Sequence, residues 1–502
     1  MILQNTFANL IANLIYPLLS LLLVPVYIKY LGLEGYGLVG VFTMLTTLLG
    51  VFTKGMGSAL QREFARRDGL AEKRASLLGL INTFEILYWG IGLLLGFVLA
   101  IFSALTDGKL INVETVSPET VKICIFLVAM SIALSFPLSV YQAAFYGMQR
   151  QVLANKIGVA ISFAQSISGL IVVLIWKSVI GFYINGVFFA VVSTLVSRYW
   201  AYDMLLPYSK FVPRRFDGKE IKSLWKISLD LIWANGIGLV ISQLDRLVIS
   251  YILPVASLGI YNVGMAGGRL LQFLYSPFLA ASYPQICQIA ENGTREDMSF
   301  ALINNAKIII IISLPFAMTM SFFSPEILEL WTHNPILISN GAVVMSLYVF
   351  GNLLISYTSV FYQGLTALGK TQYGAWFNSI ALFIMFIITW YLVEDFGLKG
   401  AAWSWIIYGM AGWIFMSVVA YKLFFDNRFL LYYVQLVLTT LLASAGVVFA
   451  IRSMASFYFT EFIWIRVSLG GVGAVSTFVL CYLIAFGFKN PVELKTLFQK
   501  LT

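Results

Sequence analysis

The chain is an almost continuous series of apolar stretches separated by short polar connections. A helix crosses the hydrocarbon core of a membrane with about 20 mostly apolar residues, and stretches of that length recur fourteen times along this sequence. We therefore predict an all-α integral membrane protein with about 14 transmembrane helices. Two places leave the count between 12 and 14, the four-residue gap at 177–180 and Pro315 inside the ninth span. The predicted spans are 6–28, 36–58, 77–104, 121–144, 157–176, 181–205, 227–252, 258–282, 308–330, 336–360, 373–393, 400–422, 429–451 and 462–486.

Composition supports the same class of protein. Of the 502 residues, 60% are hydrophobic and 11% are charged, whereas water-soluble chains carry about a quarter charged residues. The three cysteines fall in or beside apolar stretches, and His333 is the single histidine. We therefore predict no metal site, no cofactor and no disulfide scaffold.

The positive charges predict the orientation of the chain. Lys and Arg number 32 against 23 Asp and Glu, a formal balance of +9. Cytoplasmic loops of membrane proteins are enriched in Lys and Arg, and with the N-terminus inside, 21 of these residues fall on the cytoplasmic side and 7 on the outer side. We therefore predict that the chain spans the inner membrane and that both of its termini lie in the cytoplasm. The positives are scattered over seven segments, which argues against nucleic acid as a partner.

Short matches at a nearly constant offset predict an internal repeat. Residues 35–40 resemble 259–264 at an offset of 224, the Tyr-Gln pair at 141–142 recurs at 362–363, and Ala-Asn at 12–13 recurs at 234–235, both at about 222. Because an even number of helices separates the copies, the halves have the same orientation, as in parallel transporter repeats. The predicted organisation is a six-helix bundle at 1–206, a basic cytoplasmic linker at 207–226, a second six-helix bundle at 227–423, two additional helices at 424–488 and a cytoplasmic tail at 489–502.

Two glycine-rich motifs match nucleotide-binding patterns in the wrong context. Residues 364–371 fit the phosphate-loop pattern, but that loop works between a strand and a soluble helix, and here it joins two membrane helices. Residues 35–40 fit the dinucleotide fingerprint without a preceding strand, and we interpret them as a turn between helices. No nucleotide is therefore predicted as a ligand.

Five ionisable residues lie deep inside predicted spans, where each costs roughly 2.5–3.5 kcal/mol unless it has a partner, a wet cavity or a function. A structural ion pair between Lys54 and Glu85 is as plausible as a functional role. Arg269 lies near the middle of its span, where snorkelling does not rescue it, and a function is favoured there, with Asp245 as a candidate partner for which Arg246 competes.

Together these charges predict a net positive cavity. Lys54, Arg246 and Arg269 outnumber the carboxylates there, and a positive cavity in a low dielectric attracts anions. The planar guanidinium also suits phosphate oxygens. The first predicted helix contains no carboxylate, which argues against the export of cationic drugs.

Several short segments in a common order carry a family resemblance. The chain resembles the polysaccharide transporters of the multidrug/oligosaccharidyl-lipid/polysaccharide (MOP) exporter superfamily, which include Wzx-type O-antigen flippases, over residues 1–490. In addition, Arg269-Leu270 followed by Pro277 and Pro284 is similar to the eighth helix of the related lipid II flippases. The other matching segments are 30–32 (YLG), 35–37 (GYG), 54–62 (KGMGSALQR), 146–149 (YGMQ), 243–246 (QLDR), 258–261 (LGIY), 327–331 (ILELW) and 367–370 (ALGK).

The resemblance implies a V-shaped pair of six-helix bundles that carries an undecaprenyl-pyrophosphate-linked oligosaccharide from the cytoplasmic to the periplasmic leaflet by alternating access. It makes Arg269 the first candidate for a pyrophosphate contact, with Lys54 second. The lipid bilayer and a polyprenyl-pyrophosphate oligosaccharide are the implied partners, with a polysaccharide polymerase and chain-length machinery as further candidates.

Two further sets of candidates accompany this hypothesis. Sugar rings are expected to stack on aromatic side chains, and a proton or sodium gradient is expected to act through an intramembrane carboxylate. The sugar-stacking candidates are Tyr261, Tyr275 and Trp376, and the ion-coupling candidates are Asp245 and Glu85.

Two alternatives remain open. One is an ion-coupled multidrug exporter of the same superfamily. The other is a membrane enzyme, an O-antigen polymerase or a polyprenyl-linked glycosyltransferase, for which Glu326, Glu329 and His333 form the best acid and base constellation. We interpret that constellation as a helix end and predict no catalytic residue, because a lone His beside a Trp needs no chemistry.

Overall fold

The computed structural model describes residues 2–68, 76–106, 112–205, 216–423, 427–459 and 462–486. All regular structure within these residues is helical. The helices are α1 (Ile2–Asp68), α2 (Leu77–Thr106), α3 (Pro118–Ser135), α4 (Leu138–Gly147), α5 (Gln151–Trp176), α6 (Val179–Leu205), α7 (Gly218–Ile252), α8 (Val255–Gly264), α9 (Ala266–Asn292), α10 (Arg295–Phe322), α11 (Ser324–Thr332), α12 (Ala342–Ala367), preceded by a π-helical turn (Leu337–Gly341), α13 (Gln372–Phe396), α14 (Leu398–Leu423), α15 (Asn427–Tyr458) and α16 (Ile463–Phe486).

Each of the fourteen predicted spans has a helical counterpart, which confirms the prediction of an all-α membrane protein. Eleven of the described helical stretches are long and apolar enough to cross a membrane. The two uncertain places are both helical as predicted: α5 and α6 are separate helices, with Lys177 in the left-handed conformation between them, and Pro315 lies inside α10 without ending it.

The turn between the first two spans lies at Gly32, so the prediction of a turn at residues 35–40 was wrong. Gly32 has φ 75° and ψ 171°, which breaks α1 into two helical segments. The glycines at 35–40 are helical. Gly37 and Gly259 allow two helices to approach closely: a Cβ on Gly37 would lie 2.1 Å from the carbonyl oxygen of Val255, and a Cβ on Gly259 would lie 2.5 Å from the carbonyl oxygen of Leu33.

Two pairs of helix ends resemble each other at nearly the same offset as the sequence matches: the ends of α4 and α12, and the ends of α5 and α13. The N–H groups of residues 148, 149 and 150 donate to carbonyls at 144, 146 and 145, and those of 368, 369 and 370 donate to carbonyls at 364, 366 and 365. Both ends are Schellman-type caps, 220 positions apart, with Gln149 and Gly369 at φ 55° and 71°. Lys177 and Gly397 also both have positive φ at the ends of α5 and α13. The local structure thus supports the internal repeat.

The chain divides into two compact units, Met1–Gly259 and Ile260–Thr502. In the first unit, α1 packs against α4, α5 and α7, while α3 packs against α2 and α6. In the second unit, α12 is central and contacts α9, α10 and α14, and α15 pairs with α16. This division follows packing; the repeat-based boundaries at 206 and 227 stay a prediction.

Candidate functional site

Arg269 lies on the side of α9 opposite its packed face. Gly267, Gly268 and Leu271 are buried, whereas Arg269 is exposed. A Cβ on Gly268 would lie 2.5 Å from a ring carbon of Tyr348 on α12, so the close approach of the two helices fixes how α9 is rotated. The packing therefore turns the guanidinium away from the core of the second unit.

Arg269 lies well inside the eighth predicted span, 258–282, although α9 is not among the described helices that meet the length and hydropathy criteria for a membrane span. Only Met265, in a right-handed helical conformation, separates α8 from α9. Fourteen residues of helix from Val255 correspond to about 21 Å at 1.5 Å per residue, and a hydrocarbon core is about 30 Å thick. Arg269 is thus neither at the start of the span nor near Asn292, where α9 ends.

Asp245 and Arg246 are buried within the first unit, 2% and 4% exposed. The guanidinium of Arg246 donates to Oε1 of Gln243 at 2.6 Å, and a carboxylate oxygen of Asp245 accepts the backbone N–H of Arg246 at 2.8 Å. The Gln-Leu-Asp-Arg segment of the family resemblance is therefore a buried, mainly polar turn of α7.

Glu85 pairs with Arg198, a residue that the sequence did not single out. Nε of Arg198 donates to its carboxylate at 2.8 Å, and the Tyr202 hydroxyl also bonds both this carboxylate and, at 2.6 Å, the amide oxygen of Asn82. The Arg198 guanidinium lies 4.8 Å from the centre of the Tyr202 ring. The side chain of Lys54, the partner considered from sequence, lies outside the described residues. Depth along the helices alone could not select Arg198, because pairing depends on which helices are neighbours.

The three aromatic candidates differ in accessibility. Tyr261 is fully buried, with its ring 6.3 Å from that of Tyr348 in an edge-to-face contact. Tyr275 is also buried, whereas Trp376 near the start of α13 is 70% exposed. Stacking of a sugar ring on Tyr261 or Tyr275 would require their helices to separate, whereas Trp376 is accessible as it stands.

A charged cluster joins the ends of α1 and α7 in the first unit. Arg67, which is 7% exposed, bonds Glu63 at 2.7 Å and Glu220 at 2.6 Å. Burial raises the pKa of Glu63, but hydrogen bonds from Arg66 and Arg67 outweigh it and hold that pKa below its ordinary value. The cluster borders a cavity of about 510 Å³. From the sequence, Arg66 and Arg67 were informative only about the orientation of the chain, and no partner was predicted for Glu63 or Glu220.

The acid and base constellation on α11 is a helix end, as predicted. His333 has φ 50° and caps the helix, and its backbone N–H donates to the carbonyl of Glu329. Glu326 is buried and faces Arg452 at 3.5 Å and Arg466 at 3.6 Å. Its carboxylate thus holds α11 against α15 and α16.

The phosphate-loop match at 364–371 is also a helix end. The N–H groups of Leu368, Gly369 and Lys370 donate to carbonyl oxygens of the last turn of α12. A phosphate loop needs such N–H groups directed at the ligand, and here the cap uses them.

Comparison with known proteins identifies the family. The model of the family described as polysaccharide biosynthesis protein matches residues 2–290, more than half of the chain, and the MatE model matches residues 231–392. The chain is 23% identical over 411 residues to a Shigella flexneri protein named "Putative O-antigen transporter", with 81% of this chain and 94% of that protein covered.

Two solved structures have the same fold. The lipid II flippase MurJ in an inward closed conformation matches with a TM-score of 0.70 at 16% identity, over 94% of this chain and 98% of that chain. A multidrug resistance MATE family transporter of the MOP superfamily, in an inward-facing conformation, matches with a TM-score of 0.68 at 15% identity, over 82% and 98%. The fold, the helical pattern and the family match agree with the resemblance drawn from sequence: the chain is a membrane protein that belongs to the polysaccharide biosynthesis protein family.

Proposed function

We propose that this chain is a flippase that carries an undecaprenyl-pyrophosphate-linked oligosaccharide repeat unit from the cytoplasmic to the periplasmic leaflet by alternating access. The Shigella relative named as an O-antigen transporter supports the substrate class, and the MurJ-like fold supports the mode of transport. A sugar head group does not cross hydrocarbon unaided, whereas a polyprenyl tail remains in lipid while the head group is moved.

The exposed guanidinium of Arg269, well inside the predicted span 258–282, is the observation that carries the proposal. A charge at that depth costs roughly 2.5–3.5 kcal/mol even on permissive insertion scales, so an exposed one is best accommodated in a water-filled path. Arginine offers a planar fork that bonds two phosphate oxygens at once. Arg269 is therefore the proposed pyrophosphate contact, and Lys54 and Arg246 stay candidate contacts from the sequence.

Energy coupling is proposed through a buried carboxylate. In one route for the coupling ion, Glu85 exchanges its bond to Arg198 for a bond to the ion. In the other route, Asp245, which lies beside Arg246 on α7, binds the ion. Both carboxylates are buried in the first unit, and protonation of either would leave its arginine neighbour with less compensation.

The test replaces the chromosomal copy in the native organism with Arg269→Ala. Surface polysaccharide is expected to fall to the level of a deletion strain while the protein stays in the membrane, because a neutral side chain no longer holds the pyrophosphate. Arg269→Lys keeps the charge without the fork and is expected to retain part of the polysaccharide. Arg295→Ala, an exposed arginine at the start of α10, is the matched control and is expected to be normal. Wild-type polysaccharide in Arg269→Ala would contradict the proposal.

Multidrug export is the second candidate, because the MatE model matches residues 231–392 and a MATE transporter shares the fold. It predicts that deletion sensitises cells to cationic drugs with polysaccharide intact. A flippase predicts the reverse, so one deletion strain scored for both properties separates them.

A further inference from the structure

A second cavity, of about 360 Å³, lies inside the first unit among α1, α3, α4, α5 and α6. α1, α5 and α6, and α3 together with α4 as one stretch, pass the length and hydropathy criteria for membrane spans. Its lining residues nevertheless include six hydroxyl and two carboxamide side chains, and none of those residues is ionisable. Polar surface of this kind at membrane depth is expensive unless it is wet or binds a ligand.

The hydroxyl groups present mainly acceptor lone pairs to this cavity. A hydroxyl has one hydrogen to donate and two lone pairs to accept with. Five of the six donate that hydrogen to a backbone carbonyl three residues earlier in their own helix, so the lone pairs remain. The five bonds are those of Thr46 at 2.9 Å, Thr53 at 2.9 Å, Ser135 at 3.4 Å, Ser139 at 2.9 Å and Ser193 at 3.1 Å.

The two carboxamides, Gln142 and Gln165, supply both donors and acceptors. They come from α4 and α5 and border the same space. Phe136 and Phe189, both buried, add apolar surface to the wall. The lining thus combines many hydrogen-bond acceptors, two carboxamides that both donate and accept hydrogen bonds, and two aromatic rings.

This combination selects the class of ligand. An anion needs donors, which the hydroxyls do not have to spare. A bare cation favours a carboxylate, and the lining residues include none. A neutral sugar carries many O–H donors and has apolar C–H faces, and the volume holds about a dozen waters at about 30 Å³ each, within the range of small-molecule sites.

We propose that this cavity binds an uncharged, hydroxyl-rich sugar of the oligosaccharide head group, separately from the pyrophosphate. The proposal rests on the proposed flippase function and adds a specificity site to it. It assigns the recognition of neutral sugars to the first unit, and Thr46 and Gln142 become specificity-determining residues.

The test measures binding by the purified full chain in detergent, in a sodium-free buffer. The two probes are farnesyl pyrophosphate and farnesyl pyrophosphate carrying the native repeat-unit oligosaccharide. The test variant, Thr46→Val with Gln142→Leu, removes acceptors and an amide at nearly constant volume. The control is Thr47→Val, because Thr47 donates to the same carbonyl of Thr43 as Thr46 does and is not among the lining residues.

The expected result is a selective loss. The double variant should bind the oligosaccharide-linked probe about tenfold more weakly, the effect of losing one or two hydrogen bonds. Its affinity for farnesyl pyrophosphate should not change, and Thr47→Val should match the wild type. Thermal unfolding of each variant checks that it is folded.

Three other results would overturn the proposal. Unchanged binding of both probes by a folded double variant removes the sugar site and leaves the flippase proposal intact. If the double variant binds both probes more weakly by the same factor, the cavity supports the structure of the chain and does not recognise the sugar. A wild type that binds neither probe removes the flippase proposal together with the sugar site.

Discussion

Glu34, like Glu85, is a buried carboxylate whose bonding partners lie far away in the sequence. Glu34, just after the break at Gly32, is 7% exposed and accepts the backbone N–H groups of Thr115 at 2.7 Å and Val116 at 3.0 Å. Its carboxylate therefore satisfies backbone N–H groups that lie just before α3 begins. The partners of Glu34 and of Glu85 could not be predicted from the sequence. The sequence shows the charge of a residue and its depth in a span, but it does not show which helix packs next to it.

Glu63 gives a pH dependence with a defined sign. Its pKa in the folded chain lies below the ordinary value of 4.5, so the carboxylate stabilises the fold above about pH 4.5 and this contribution is lost as pH falls through the lowered pKa. Unfolding of the purified chain, followed between about pH 6 and pH 3, should show a steeper loss of stability in the wild type than in Glu63→Gln. Parallel curves for the two proteins would mean that the cluster with Arg67 and Glu220 contributes nothing to stability.

At the scale of helices, the presence of a helix at each predicted span was predictable, whereas the bounds and the contacts were not: the predicted spans 258–282 and 308–330 each correspond to two helices, α8 with α9 and α10 with α11. Length and hydropathy suffice to find a span, which is why each predicted span has a helix. The break at Gly32 was missed because the glycines at 35–40 gave a stronger turn signal by composition. Those glycines are helical because another helix passes close to them, and a single sequence does not show close approach.

Gly37 tests this account of helix packing. In Gly37→Ala the new Cβ would meet the carbonyl oxygen of Val255 at 2.1 Å, so the backbones must move apart at a cost of about 1–3 kcal/mol. Thermal unfolding should occur at a lower temperature than in the wild type. Gly57→Ala on the same helix is the control, since a Cβ there meets nothing within 4 Å and alanine favours the helix by up to about 1 kcal/mol. Equal midpoints for the two variants would contradict the packing described.

At the scale of the whole molecule, the distribution of Lys and Arg predicts both termini in the cytoplasm. Lys222 and Glu119 are both exposed and lie at opposite predicted faces. In a cysteine-free background, Glu119→Cys should react with a membrane-impermeant maleimide in intact cells, and Lys222→Cys only after permeabilisation. The reverse pattern would invert the topology.

The fold and the family of this chain followed from patterns that many residues share, such as hydropathy and a repeated order of short segments. The proposed site depends on a few residues instead. Arg269 could be selected from sequence because a charge in mid-span stands out against its surroundings. The hydroxyl-lined cavity could not, because Ser and Thr are common in membrane helices and only their convergence from four helices makes a cavity.

The most direct test of the central claim is the leaflet in which lipid-linked oligosaccharide resides when the chain is depleted. Inner membranes from depleted cells are prepared as sealed vesicles of known orientation, and the oligosaccharide is probed from each side with a membrane-impermeant glycosidase. The flippase account predicts that undecaprenyl-pyrophosphate oligosaccharide accumulates on the cytoplasmic face, and that the wild-type chain, but not Arg269→Ala, restores its appearance on the periplasmic face. A normal distribution between the two faces in depleted cells would contradict it.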